Sequence, residues 1–123
     1  MTSMPDPPHP LPLSATDFHV LLVLAEKPLW GYAIMRAVED ESGGMIRPDV
    51  GSLYRILARL MESGLLEETP APREADGAAH RGRPRRYYRI TLAGLRAVRS
   101  EALRLAGVLE VARSRSLLPE GRS

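Results

Sequence analysis

Residues 48–69 read PDVGSLYRILARLMESGLLEET, and within them an amphipathic helix gives way to a strand across a glycine. Asp49, behind Pro48, is a helix cap, and Leu53, Ile56, Leu57 and Leu60 recur at helical spacing as an inward stripe. Ser52, Arg55 and Arg59 stand at i, i+3 and i+7 and share a second face, which is polar and basic. Gly64 closes the helix, and LLEET after it is a strand candidate. A helix with one apolar side needs packing partners, and these are found on both flanks.

Downstream, RRYYRIT (residues 85–91) reads as a second strand. Its alternation turns Tyr88 and Ile90 one way, and Tyr87 and Arg89 the other. The stretch between the strands, PAPREADGAAHRGRP, is rich in proline, glycine and small residues and forms the long tip of a hairpin. Thr91 then caps a last helix, from Leu92 to about Ser114. Leu95, Val98, Ala102, Leu105, Leu109 and Ala112 follow the spacing 3, 4, 3, 4, 3, a heptad seam suited to a second copy of the chain. Its two alanines make that seam shallow.

Upstream, WGYAIMRAVEDESGG (residues 30–44) is a helix with Ile34, Met35 and Val38 on one face and Arg36, Glu39 and Asp40 turned away. Before it, Ser14 caps a helix whose positive start is favoured by Asp17. From Phe18 to Ala25 that first helix is apolar on nearly every side, so it needs burial on more than one. Phe18 and Leu22 are therefore expected at a subunit interface, together with the seam of the last helix.

The order helix, helix, helix, strand, strand is that of a winged helix-turn-helix, a mainly α fold with a small β-hairpin. The expected organisation is an N-terminal arm over 1–13, a DNA-binding domain over 14–91 with its wing at 65–91, a dimerisation helix over 92–116 and a tail over 117–123. In such a domain the third helix enters the major groove and the wing follows the flanking backbone. Charge supports that placement. The 123 residues carry a net +2, but Arg81 to Arg99 hold seven arginines and no acid, leaving 2 − 7 = −5 for the remainder. A basic segment on an otherwise acidic chain is directed at an anionic partner.

Three blocks then resemble one family. GYAIMRAVEDESGG, GSLYRILARLMESGLLE and GRPRRYYRITLAG occur in the order and spacing of the PadR family of bacterial transcriptional regulators. Gly31 and Tyr32 open the second helix as in that family, Gly51 to Tyr54 open the recognition helix, and Gly82 to Thr91 match the wing pattern. Trp30 departs from the histidine common there, the wing tip is long, and a single helix follows the wing, as in the shorter members. The resemblance implies a homodimer whose first and last helices exchange contacts between subunits, and the absence of cysteine fits a reducing cytoplasm. The resemblance also implies a repressor released from a double-stranded DNA operator by a small-molecule effector or stress signal.

The expected site residues fall into two groups. On the helices, Arg55 and Arg59 are placed to read base edges, while Ser52, Tyr54 and Tyr32 are placed on phosphates. The alternatives are a plain solvated face for the arginines and partial burial for the two tyrosines. On the wing, Arg83, Arg85 and Arg86 are the contacts, with Tyr87 sharing their surface and Tyr88 packed inside. Trp30, near Met35, Met45 and Met61 in sequence, suits either a ligand pocket or ordinary core.

Other functions find less in the sequence. The absence of cysteine removes thiolate metal sites and cysteine nucleophiles, and His9, His19 and His80 are isolated, so no metal or cofactor is expected. There is no glycine-rich phosphate loop before a helix, and Glu67 and Glu68 are adjacent on a strand and face opposite ways, which argues against an enzyme. No apolar run reaches the roughly 20 residues of a membrane span, and MTSMPDPPHPLPL lacks the basic start and apolar run of a signal peptide. The competing reading is a winged helix that binds another protein instead of specific DNA. An acidic recognition face and a neutral wing would favour it, and both here carry arginine.

Overall fold

The computed structural model describes residues 12–72 and 86–119. Its elements run α1 (Ala15–Leu24), β1 (Leu29–Trp30), α2 (Gly31–Glu41), α3 (Val50–Glu62), β2 (Leu66–Thr69), β3 (Tyr87–Ile90) and α4 (Leu92–Ser114). Three helices begin at the caps expected from sequence. Ser14 Oγ accepts from the Asp17 amide at 3.0 Å, Asp49 Oδ1 from that of Ser52 at 2.7 Å, and Thr91 Oγ1 from that of Gly94 at 3.0 Å. Each satisfies a first-turn donor that the helix itself cannot.

The sheet is antiparallel with strand order β1-β3-β2, so the hairpin has gained a third, short strand. Leu29 pairs with Tyr88 and Trp30 with Tyr87, while Leu66, Glu67, Glu68 and Thr69 pair with Ile90, Arg89, Tyr88 and Tyr87. Two residues between Pro28 and a helix cannot display alternation, which is why β1 had no signature in the sequence. Its consequence is that β3 becomes the middle strand.

The core lies where the helices meet the sheet. Val20, Leu21, Leu24, Ile34, Val38, Leu53, Leu57, Leu60, Leu65 and Tyr88 are all buried, and each large aliphatic side chain there stabilises the fold by about 1.5–3 kcal/mol. The turn out of α3 is fixed by Gly64, whose φ of +80° suits glycine, and by Thr91, which donates to the Gly64 carbonyl at 2.6 Å. Gly94 lets α4 lie directly on that turn: a methyl group at this position would overlap the Leu65 carbonyl oxygen and the Ile90 side chain.

Along α4 the surroundings change midway. Gly94, Ala97, Val98 and Glu101 are buried, whereas Leu103, Val108, Leu109 and Val111 are exposed. Residues 102–114 continue for roughly 20 Å at the helical rise. The heptad seam expected of this helix is therefore divided. Val98 belongs to the core of its own domain and has little surface left to bury against a partner, and Leu95 is half-buried. Ala102, Leu105, Leu109 and Ala112 carry the stripe onward, Leu105 and Ala112 half-buried and the other two exposed. Glu101 interrupts the stripe with a carboxylate only 2 % exposed, gripped by Arg104 at 3.0 and 2.7 Å. That guanidinium holds the Glu101 carboxyl below the usual carboxylate range, with help from the Leu13 backbone amide. At the other end of the chain, Phe18 packs partly against the core and Leu22 is exposed.

Candidate nucleic-acid interface

The outward side of α3 consists of Val50, Gly51, Tyr54, Arg55, Ala58, Arg59 and Glu62. Gly51 and Ala58 leave that surface low, so a groove of DNA can approach the backbone between the taller Tyr54 and Arg55. Tyr54 leans across to the start of α2, where its hydroxyl rests over the buried Gly31. A methyl group at Gly31 would collide with the tyrosine ring and hydroxyl, which explains the glycine before Tyr32. The first helix turn after Gly31 has no side-chain cap, in contrast to the other three helices. Its amide donors sit beside Tyr54, in the arrangement by which a helix start accepts a phosphate.

Tyr32 is exposed on that first turn and carries Arg36 against it. The guanidinium carbon lies 5.8 Å from the ring centroid, and a terminal nitrogen donates to the phenol oxygen at 3.3 Å. The Trp30 ring is 5.6 Å from that of Tyr32. Arg36 thus belongs to the same surface, although nothing in its sequence spacing singled it out.

The arginines of α3 have separate fates. Arg55 is exposed, donates to Ser52 Oγ at 3.2 Å, and lies within electrostatic reach of the exposed Asp49 carboxylate at the helix start. Ser52 in turn gives its amide to Asp49, and that hydrogen bond is the main reason the Asp49 carboxyl sits below its ordinary range. Arg59 instead forks onto Asp17 of α1, with its two terminal nitrogens 2.9 and 3.0 Å from the two carboxylate oxygens. Asp17 is 4 % exposed, and its grip raises the Arg59 pKa. Of the two arginines expected to read bases, Arg59 is thus engaged with Asp17, and Arg55 faces outward. Asp17 is 42 residues away in sequence, so no periodicity could reveal it.

On the wing, Arg83 and Arg85 lie outside the described residues, as do His9 and His80. Arg86 is exposed, with its Nε 3.4 Å from Glu68, and Arg89 meets Glu67 at 2.7 Å. The arginine run has no acid within it, but strand pairing brings two glutamates alongside, so the wing root is partly neutralised. Tyr87 does not share the arginine surface. As part of the middle strand it is only 4 % exposed, and with Lys27, Pro28, Leu29, Trp30, Ala33 and Pro72 it lines a cavity of about 290 Å³. Tyr88 faces the core, as expected; burial raises its phenol pKa, and the neighbouring Arg86 acts in the opposite direction.

The suggested grouping of Trp30 with methionines does not form. Met35 and Met61 pack against the core, and Met45 is exposed on a separate groove with Thr16, Arg47 and Ser52. His19 has a buried Nδ1 without a hydrogen-bond partner among the described residues. Among the described residues no cluster of carboxylates and histidines is placed to hold a metal ion, and no helix is long and apolar enough to cross a membrane.

Residues 20–100 match the model of the transcriptional regulator PadR-like family. No curated protein matches the chain in sequence. Among solved structures, a PadR family regulator from Eggerthella lenta is 31% identical with a TM-score of 0.55, and the match covers 82% of each chain. A PadR family regulator from Clostridium difficile is 18% identical with a TM-score of 0.65, the match covering 82% of this chain and 97% of that one. Bacillus subtilis PadR, solved in complex with operator DNA, is 18% identical with a TM-score of 0.58, over 71% of this chain and 46% of its own. The family match spans α2, α3, the wing and the start of α4, the elements that carry the surface described above, and the chain belongs to the PadR-like family of transcriptional regulators.

Proposed function

We propose that this chain is a sequence-specific, homodimeric repressor that occupies a double-stranded operator and leaves it in response to a small ligand or stress signal. The observation that carries the DNA reading is Arg55, an exposed cation whose charged neighbour is the equally exposed Asp49 cap, standing beside Tyr54 on the exposed start of α3. In this reading α3 lies in the major groove. Arg55 reads a base edge, Ser52 and Tyr54 take phosphates, and the α2 start with Tyr32 holds the next phosphate through its amides. Arg83, Arg85 and Arg86 extend the contact along the backbone, and Arg36 joins them.

The dimer is supported by the apolar stripe on the far half of α4. Leu105, Leu109 and Ala112, with Val108 beside them, continue beyond the domain, and Phe18 and Leu22 are the matching surface on α1. Two copies related by a dyad would set two recognition helices against half-sites a helical turn or more apart. Binding that site over a promoter blocks its use, which is the simplest form of repression. An effector acts in this scheme by favouring a dimer geometry that no longer matches the half-site spacing. Such a regulator works where the chromosome is, in the cytoplasm.

The test is binding of the purified protein to DNA from upstream of its own coding region, titrated across salt. Tight binding with a steep negative salt slope is expected, and replacing Arg83, Arg85 and Arg86 with alanine should flatten the slope by about three. Weak, sequence-blind binding, followed by an empty selection from genomic fragments, would overturn the reading in favour of a protein-binding winged helix.

A further inference from the structure

We propose that Asp17 and Arg59 are a positioning pair that fixes the pitch of the recognition helix, and that Arg59 does not touch DNA. The inference rests on the DNA-binding reading of α3. The apolar stripe of α3, Leu53, Leu57 and Leu60, holds the helix against the core but is not directional: helices packed only by aliphatic side chains can turn or slide slightly at low cost. A bidentate fork between a planar guanidinium and a carboxylate has a defined plane and axis. Here it joins the last turn of α3 to the first turn of α1, which is itself anchored by Ser14. The next residue on α1, Phe18, belongs to the surface assigned to the dimer. The pair therefore relates the recognition helix to the element that sets its place in the dimer.

Burial decides between this role and base reading. Asp17 is 4 % exposed, while half of the Arg59 side chain remains in contact with solvent. For Arg59 to swing onto a base or phosphate, it would have to leave a buried carboxylate without its guanidinium, which is costly in a weakly polarisable surrounding. Arg55 leaves no buried carboxylate behind, because its charged neighbour Asp49 is exposed to solvent.

The experiment measures operator binding across salt, together with base preference and thermal melting, for wild type, Asp17→Asn, Arg59→Lys, the double variant and the exchange Asp17→Arg/Arg59→Asp. Each single variant should weaken operator binding roughly tenfold, and the double variant should be no weaker than the singles, as for residues acting as one unit. The salt slope and base preference should stay those of wild type, because no phosphate or base contact is lost. Arg59→Lys keeps the charge without the fork and serves if Asp17→Asn does not fold. Partial rescue by the exchange would support the pair directly. Tighter binding or a steeper slope for Asp17→Asn would mean that a released Arg59 goes to phosphate, and loss of discrimination at one base pair for Arg59→Lys alone would make it a reader. Either result overturns the proposal, as do variants that bind like wild type. Wild type that binds no operator overturns the DNA reading itself, and the positioning role with it.

Discussion

At its N-terminal end α3 is open: Asp49 caps it, Gly51 and Tyr54 lie at the surface, and Arg55 has only Ser52 and the exposed Asp49, neighbours at its own helix start, to hold it among the described residues. At its C-terminal end it is tied down. Arg59 is forked onto Asp17, Leu60 is buried, and Thr91 bonds the Gly64 carbonyl in the turn that follows. The two arginines are one turn apart, with the same charge and nearly the same outlook on a helical wheel. What separates them is whether a carboxylate elsewhere in the fold has already claimed the guanidinium. Positive charge marks a nucleic-acid surface only after pairs with a buried carboxylate are subtracted; on the wing the partners of Arg86 and Arg89, Glu68 and Glu67, are themselves exposed and hold those guanidiniums weakly.

If the tied end is structural, breaking it should cost stability more than anything done to the open end. Asp17→Ala leaves Arg59 without its partner and opens a gap under α1. With the guanidinium half in solvent, the loss should be about 2 kcal/mol in urea denaturation, below the 3–5 kcal/mol of a fully buried pair. Arg55→Ala should do the reverse, weakening operator binding by about 1–2 kcal/mol while leaving the urea midpoint in place. A shifted midpoint there would erase the distinction between the ends. Thr91→Ala removes both the α4 cap and the bond to Gly64 and should lower stability by about 1 kcal/mol, with no change in the salt slope of DNA binding.

Smaller effects sharpen the open end. Gly31→Ala should push the Tyr54 hydroxyl aside, since a side-chain tip can yield, and reduce operator affinity by a few-fold with little effect on melting. The Asp49 cap should show in acid. Its carboxyl is held below the unfolded value, so its contribution is complete above about pH 5 and disappears as the pH falls below about 4. The stability difference between wild type and Asp49→Ala should therefore be level at neutral pH and shrink in acid; a gap that widened in acid would contradict the cap.

These same contrasts show what the sequence could disclose. The caps at Ser14, Asp49 and Thr91 were legible because capping is settled within three residues. The inward stripe of α3 was legible because burial follows the helical period. Tyr87 was misplaced because its exposure depends on β1, a strand of two residues, which turns β3 from an edge into a middle strand. The Asp17–Arg59 fork spans 42 residues, and the Glu67–Arg89 pair spans 22; both are set by tertiary packing and leave no local pattern. On α4 the heptad spacing was real, but where the domain stops and the free stripe begins is a matter of how far the core reaches. Val98 fell on the near side of that line, and Leu109 on the far side.

The division of labour on α3 is tested most directly by base preference. Binding of wild type, Arg55→Ala and Arg59→Lys would be measured against an operator in which every base pair is substituted in turn. The expected result is that Arg55→Ala loses discrimination at one position in each half-site, while Arg59→Lys binds more weakly everywhere and keeps the wild-type preference. An Arg55→Ala profile identical to that of wild type, or a position at which only Arg59→Lys becomes tolerant, would contradict it.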